Sequence, residues 1–285
     1  MTQRYGAVTI IGVGLLGGSL ALALKAKNLA DRVRGVGRNP NTLEKATALG
    51  IIDASYLEPV EACRDADLIV ICTPAGSVPS ILDAIRPVCS ETALVTDVAS
   101  TKAAICSHAA RTWPSPLRFV GSHPMAGSEK FGPEYASATL YEGCITIVDE
   151  NPAAEEARAG ITALWETLGA KVLTVDPEMH DALVARTSHI PHIAAGCVAR
   201  LAAASGEVTP FVGTGFRDVT RVAAGRPELW RDICLTNRTA ITEGLERLEE
   251  ELAQIRRMVA DGYAEGLDAF FEQAQEARRR ALGES

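Results

Sequence analysis

Gly12-Val13-Gly14-Leu15-Leu16-Gly17 follows a short β-branched run at residues 7–11 and opens a helix-patterned segment at 16–27. Each glycine in this spacing has a physical job. Gly12 permits the tight turn, Gly14 lets a pyrophosphate approach the backbone, and Gly17 allows the helix to pack closely on the strand. The unpaired N–H groups at the helix start favour phosphate charge. The alternative is a glycine-rich turn without a ligand. The strand before and the helix after favour a dinucleotide site contacted by Gly12, Gly14, Leu15, Leu16 and Gly17.

The pattern outward from this turn fits that reading. Strand-like runs at 7–11, 33–36, 68–72, 93–96, 145–148 and 172–175 alternate with helical patterns at 16–27, 41–49, 78–85, 102–110 and 153–168. Such alternation builds βαβ units, so the sequence predicts an α/β Rossmann-like domain with a mostly parallel sheet over residues 1–175. Asn41 or Thr42 is expected to cap the second helix and Gly50 to end it.

Ligands in such folds sit outside the carboxyl ends of the strands. The second strand ends in Gly35-Val36-Gly37-Arg38-Asn39-Pro40, without the carboxylate that usually binds the ribose hydroxyls of NAD. Gly37 leaves room for a 2′-phosphate and Arg38 can pair with it, which points to NADP, with NAD as the alternative. Thr73 and Pro74 end a later strand beside the expected nicotinamide. Ser100, in Asp97-Val98-Ala99-Ser100-Thr101-Lys102, offers a hydroxyl to cofactor or substrate, or else caps the helix that follows.

Composition narrows the class of protein. The formal net charge of −8 over 285 residues argues against nucleic acid or an anionic membrane as partner and leaves a small-molecule substrate. Seven scattered cysteines, an odd number without any CxxC pair, fit reduced thiols in a cytoplasmic protein. The uncharged stretch 7–24 after Arg4 superficially resembles an export signal, but Gly12, Gly14, Gly17 and Gly18 suit a turn better.

After Asp176-Pro177 the character changes. No segment reads as a strand, and Lys171 is the last lysine. Residues 176–285 are expected to form an all-α domain. Ile241, Leu245, Leu248, Leu252, Ile255 and Val259 make an apolar seam that suits either an intramolecular core or the interface of a homodimer.

Two constellations carry the chemistry. In Val120-Gly121-Ser122-His123-Pro124-Met125-Ala126-Gly127-Ser128-Glu129, one imidazole sits in a Gly/Ser/Pro-rich turn rather than on an apolar face. Beside a nicotinamide, that histidine suits removal of a hydroxyl proton as hydride leaves the same carbon. In the helical half, Ser188 and His192 of Ser188-His189-Ile190-Pro191-His192 are four apart and would share a helix face, with Pro191 marking a helix start or kink. His189 and His192 lack the partners a zinc site needs, so no metal is expected. Gly213-Thr214-Gly215-Phe216-Arg217-Asp218-Val219-Thr220-Arg221 places paired arginines in an acidic protein, which suggests a carboxylate site. Arg221 would grip the carboxylate, and Asp218 would fix one arginine.

Taken in order, the Gly12–Gly17 turn, Asp97–Lys102, Gly121–Glu129, Ser188–His192 and Gly213–Arg221 with Trp230 resemble the prephenate/arogenate dehydrogenase family of tyrosine biosynthesis. The resemblance spans nearly the whole chain and implies that residues 176–285 bind substrate and pair two subunits into a homodimer. It implies oxidative decarboxylation of prephenate or L-arogenate with hydride transfer to NAD(P)+. His123 matches the family's proton-accepting histidine and Ser100 the hydroxyl that supports it. Arg221 matches the substrate-carboxylate anchor, Ser188 and His192 residues near the substrate side chain, and Trp230 a wall of the site. Glu129 and Asp218 match an ionic network around the arginine, and Thr214 stands where relatives often carry glycine. Other small hydroxy-acid dehydrogenases of Rossmann-plus-helical layout would need a lysine in the helical half, and a non-catalytic NAD(P)-sensing module would not need Arg221 and His123 together.

Overall fold

The computed structural model describes residues 4–113, 118–127, 130–204 and 206–284. The chain divides into two compact units, Met1–Arg238 and Thr239–Ser285.

In the first unit, strands β1 (Tyr5–Ile11), β2 (Ala30–Val36), β3 (Ala54–Tyr56), β4 (Leu68–Ile71), β5 (Leu94–Asp97) and β6 (Phe119–Val120) form a parallel sheet. Their order is β3-β2-β1-β4-β5-β6. The chain reverses direction between β1 and β4, which opens a crevice at their carboxyl ends. All four residues of β4 are buried, as a strand covered on both faces requires. Helices α1 (Leu15–Ala26), α2 (Pro40–Ala48), α3 (Pro59–Cys63), α4 (Val78–Ile85) and α5 (Ala103–Thr112) supply the crossovers. Asn39, rather than Asn41 or Thr42, caps α2, because its side chain accepts from the amide of Asn41. Gly50, at φ +69°, closes that helix, with Ile51 N–H donating to the Ala46 carbonyl. The uncharged stretch 7–24 is thus strand, turn and helix. Among the described residues no helix is long and apolar enough to cross a membrane.

The strand-like runs at 145–148 and 172–175 leave this sheet. They become β8 (Ile145–Asp149) and β9 (Lys171–Val175), separated by α6 (Glu155–Thr167), in a second sheet of order β7-β8-β9. Its third member, β7 (Ser122–Pro124), pairs antiparallel with β8, setting His123 opposite Ile147. His123 therefore lies on a short strand and not in a turn. Gly121 marks the departure from β6, and a Cβ there would stand 2.5 Å from Cys106 Sγ. The strands of two or three residues, β3, β6 and β7, are too short to show a period in sequence.

Residues beyond 176 carry no strand among those described. Helix α7 (Pro177–Val184) runs without a break through one π turn, Ala185–His189, into α8 (Ile190–Ala203). Pro191 explains the wide turn: it lacks the N–H that would meet the Thr187 carbonyl, and its ring crowds that oxygen. The kink expected at Pro191 thus takes the form of a π turn, a feature common at functional sites. Helices α9 (Thr214–Thr220) and α10 (Pro227–Thr236) complete this unit. The second unit is built from α11 (Arg238–Ala260) and α12 (Ala264–Leu282). On the α11 seam, Leu252 is 56% and Val259 64% exposed in the single chain.

Candidate active site

The glycine-rich turn has the shape of a phosphate cradle. Gly12 holds φ +102°, and a Cβ there would lie 2.5 Å from the Cys72 carbonyl oxygen. A Cβ on Gly17 would meet the Gly12 oxygen at 2.1 Å, so α1 packs on the turn only because Gly17 is bare. Gly14 differs, since a Cβ on it would meet nothing within 4 Å. It also caps α1 with no side chain on the first amides and no acidic residue in the first turn. Open space over free N–H groups suits a pyrophosphate, so these residues fit a dinucleotide. The Thr73 methyl is 3.2 Å from the position of a Gly12 Cβ, which puts the end of β4 beside this turn. Arg38 is exposed just beyond β2.

His123 belongs to a relay of hydrogen bonds. Its Nδ1 lies 2.9 Å from His180 Nε2, and His180 Nδ1 lies 2.8 Å from Asp181 Oδ1. Asp181 also caps α5, accepting from the amides of Lys102 at 2.7 Å and Ala103 at 3.0 Å. The carboxylate can only accept, so His180 carries a proton on Nδ1, and as a neutral imidazole it presents a lone pair on Nε2. To a neutral His180, His123 donates from Nδ1, and its own Nε2 meets no partner among the described residues. Burial, and then the neighbouring His180, Lys102 and His189, hold the His123 imidazole well below its ordinary pKa. A neutral ring with a free nitrogen is the form a general base needs.

The strand under His123 is held just as firmly. Ser122 is fully buried; its hydroxyl donates to the Asp97 carbonyl at 2.6 Å and accepts from Trp165 Nε1 at 3.1 Å. The buried Asp97 carboxylate accepts from the amides of Ala99 at 2.9 Å and Ser122 at 3.2 Å, and pairs with buried Lys102. Burial pushes the Asp97 carboxyl upward against the pull of Lys102. Leaving either partner of such a pair alone is costly, so the two fix the Asp97–Lys102 segment that carries Ser100. Ser100 is half-buried, and its hydroxyl makes no hydrogen bond among the described residues. The expected cap on α5 comes from Asp181, not from Ser100.

A wall of aromatic rings stands in the helical part. His192 stacks on Trp230, with centroids 3.3 Å apart and planes at 14°, and His189 meets the same indole edge-on. Gly225 makes this possible, since a Cβ there would lie 2.4 Å from Trp230 Nε1 and 2.8 Å from His192 Cε1. Asn237 donates to the Asp181 carbonyl at 2.8 Å and lies 3.2 Å from His189 Nδ1. Burial lowers His189 to about 4 and lowers His192 as well. His189 Nδ1 is thus engaged by the Asn237 amide. Among the described residues no cluster of three or more metal-ligating side chains is present.

The other nominated residues are less tightly held. Arg217, Asp218 and Arg221 are all exposed, and none forms an ion pair among the described residues, so the expected Asp218–arginine bridge is not made. Ser188 is exposed in the π turn, four residues before His192, and Thr214 is exposed at the start of α9. Glu129 lies outside the described residues. No sequence motif marks His180, Asp181, Lys102 and Asn237 as site residues. Their only sequence signals were an adjacent His-Asp near a helix start and a lysine five residues after a strand-ending aspartate.

Comparisons with known proteins match both halves of the chain. Residues 20–174 match the family described as prephenate dehydrogenase, nucleotide-binding domain, and residues 176–273 match prephenate dehydrogenase, dimerization domain. The prephenate dehydrogenase of Bacillus subtilis is 32% identical over 284 residues, covering 98% of this chain and 76% of its own. The cyclohexadienyl dehydrogenase of Zymomonas mobilis is 30% identical over 95% of this chain and 94% of its own. Among solved structures, prephenate dehydrogenase from Aquifex aeolicus, in complex with hydroxyphenyl propionate and NAD+, superposes with a TM-score of 0.90 at 29% identity. That likeness covers 99% of this chain and all of the other. Synechocystis arogenate dehydrogenase superposes with a TM-score of 0.81 at 28% identity, over 96% and 99% of the two chains.

Proposed function

The chain belongs to the prephenate dehydrogenase family, and from that premise we propose how its residues divide the work. The protein is an NAD(P)-dependent oxidoreductase of tyrosine biosynthesis that oxidatively decarboxylates prephenate, L-arogenate or both. Hydride leaves the ring carbon that bears the hydroxyl, the ring carboxylate departs as carbon dioxide, and the ring becomes aromatic. NAD(P)+ supplies the hydride acceptor when it is bound in the Gly12–Gly17 cradle.

The observation that carries the assignment of roles is the Asp181–His180–His123 relay, which leaves His123 Nε2 free. That nitrogen takes the hydroxyl proton as carbonyl character develops. Ser100, with its hydroxyl uncommitted, supports the same oxygen. Arg221 binds a substrate carboxylate, with Asp218 and Glu129 ordering around it once the anion is present. The Trp230–His192 stack forms a flat wall for the ring, and Ser188 and Thr214 lie toward the side chain. Arg38, exposed beyond Gly37, favours NADP+ over NAD+. Two copies pair through the C-terminal helices, which cover the exposed Leu252 and Val259. The seven free cysteines fit residence in the reducing cytoplasm. Residues 1–175 act as the dinucleotide domain and 176–285 as the substrate and dimer domain.

An assay of prephenate and L-arogenate, each with NAD+ and NADP+, tests the reading. Turnover of at least one pair is expected, with the larger kcat/KM for NADP+. The absence of turnover in all four would refute the activity, and a preference for NAD+ would refute the role of Arg38.

A further inference from the structure

Helix α10 reaches both ligand regions of the site. At its middle, both carboxylate oxygens of Asp232 accept from the amide of Gly76, at 3.1 and 3.0 Å. Gly76 sits in the turn Ala75–Ser77, directly after Thr73 and Pro74 at the end of β4. A Cβ on Gly76 would come within 2.4 Å of Asp232 Oδ1, so the approach is as close as a bare backbone allows. Ser77 donates to Thr73 Oγ1 at 2.9 Å, which ties that turn to the residue beside the glycine-rich cradle. Two positions before Asp232, Trp230 stacks on His192. Four positions after it, Thr236 accepts from the Thr101 hydroxyl at 3.0 Å, and next in chain Asn237 holds the Asp181 carbonyl.

We propose that α10 couples the two binding events, with Asp232 as the positioning residue. Occupation of the cradle by the dinucleotide and of the Trp230 wall by a ring-bearing carboxylate then strengthen each other. This rests on the ligand placement proposed above. The Gly76–Asp232 contact joins the turn beside the cradle to α10, and Trp230 lies two residues away on the same helix. Close packing of Trp230 against Gly225 leaves no slack in that linkage. Coupling between two sites is reciprocal, so each ligand tightens the other by the same factor.

Calorimetric titration of the full-length protein measures that factor. The dinucleotide used is the one preferred in turnover, and its Kd is read with and without saturating hydroxyphenyl propionate. In the wild type the second ligand is expected to tighten the first by about fivefold or more. Asp232→Ala should bring the factor to about one while its Kd for dinucleotide alone stays within about twofold. Asp232→Asn, which retains one acceptor for Gly76, should fall between. An unchanged factor in Asp232→Ala, or no coupling in the wild type, overturns the proposal. If Asp232→Ala melts too low to titrate, Thr236→Val removes the second tether and should at least halve the factor; an unchanged factor there also overturns it. Normal turnover with no coupling would sink the role of α10 alone, whereas failure to bind either ligand would sink the functional reading beneath it.

Discussion

The two sides of the site are built in opposite ways. On the proton-handling side, His123, His180 and Asp181 are linked by bonds of 2.9 and 2.8 Å and anchored to the start of α5. On the side proposed to bind the anion, Arg217, Asp218 and Arg221 are exposed and make no ion pair among the described residues. On the reading proposed above, one side is set before substrate arrives and the other is completed by it. The contrast is chemically sensible. A general base loses efficiency if its tautomer or its direction varies, whereas a guanidinium keeps its charge in any rotamer and can close on a carboxylate after encounter.

Mutations can break this contrast in order of effect. His123→Asn should lower kcat by about a thousandfold, within the span general-base catalysis contributes. Dinucleotide affinity should hardly change, and a near wild-type kcat would remove His123 from the chemistry. His180→Phe keeps bulk but frees the His123 ring, and a kcat loss of about a hundredfold at nearly constant KM is expected. If KM rises instead, His180 serves the pocket and not the base. Arg221→Ala should raise KM about tenfold or more with little change in kcat, since a charge-assisted hydrogen bond is worth about 1.5–3 kcal/mol. An equal loss in kcat would show that the anion side, too, is set in advance.

The smallest effect is on stability. His189 is held neutral with a pKa of about 4, below its ordinary value of 6.5. Between those values the unfolded chain binds the proton and the folded one resists it. Stability from this group is therefore full above pH 6.5 and is lost as pH falls toward 4. Melting temperatures should decline over that window, and less steeply in His189→Phe. An identical slope would place the acid sensitivity elsewhere.

The same contrast explains what could be read from sequence. The cradle was legible because backbone demands glycine at fixed offsets, and Gly12 and Gly17 are required by contacts of 2.5 and 2.1 Å. The main strands were legible because burial on both faces leaves unbroken aliphatic runs. His123 was visible by its unusual neighbours, although its local structure is a strand created by pairing with β8, which no local pattern announces. His180 and Asp181 were not legible. Their importance comes from α7 docking its first turns against the start of α5, a tertiary contact with no spacing of its own. The π turn at Ala185–His189, just before Pro191, has no sequence spacing of its own.

The central claim is that His123 is neutral, protonated on Nδ1 and open at Nε2 before substrate binds. Nitrogen-15 NMR of the histidine-labelled protein, titrated from pH 7.5 to acid and assigned with His123→Asn, tests it most directly. The structure predicts a protonated Nδ1 and an unprotonated Nε2 for His123, unchanged as the pH falls through 6.5. An Nε2–H tautomer at neutral pH, or an imidazolium forming near pH 6.5 or above, would contradict it.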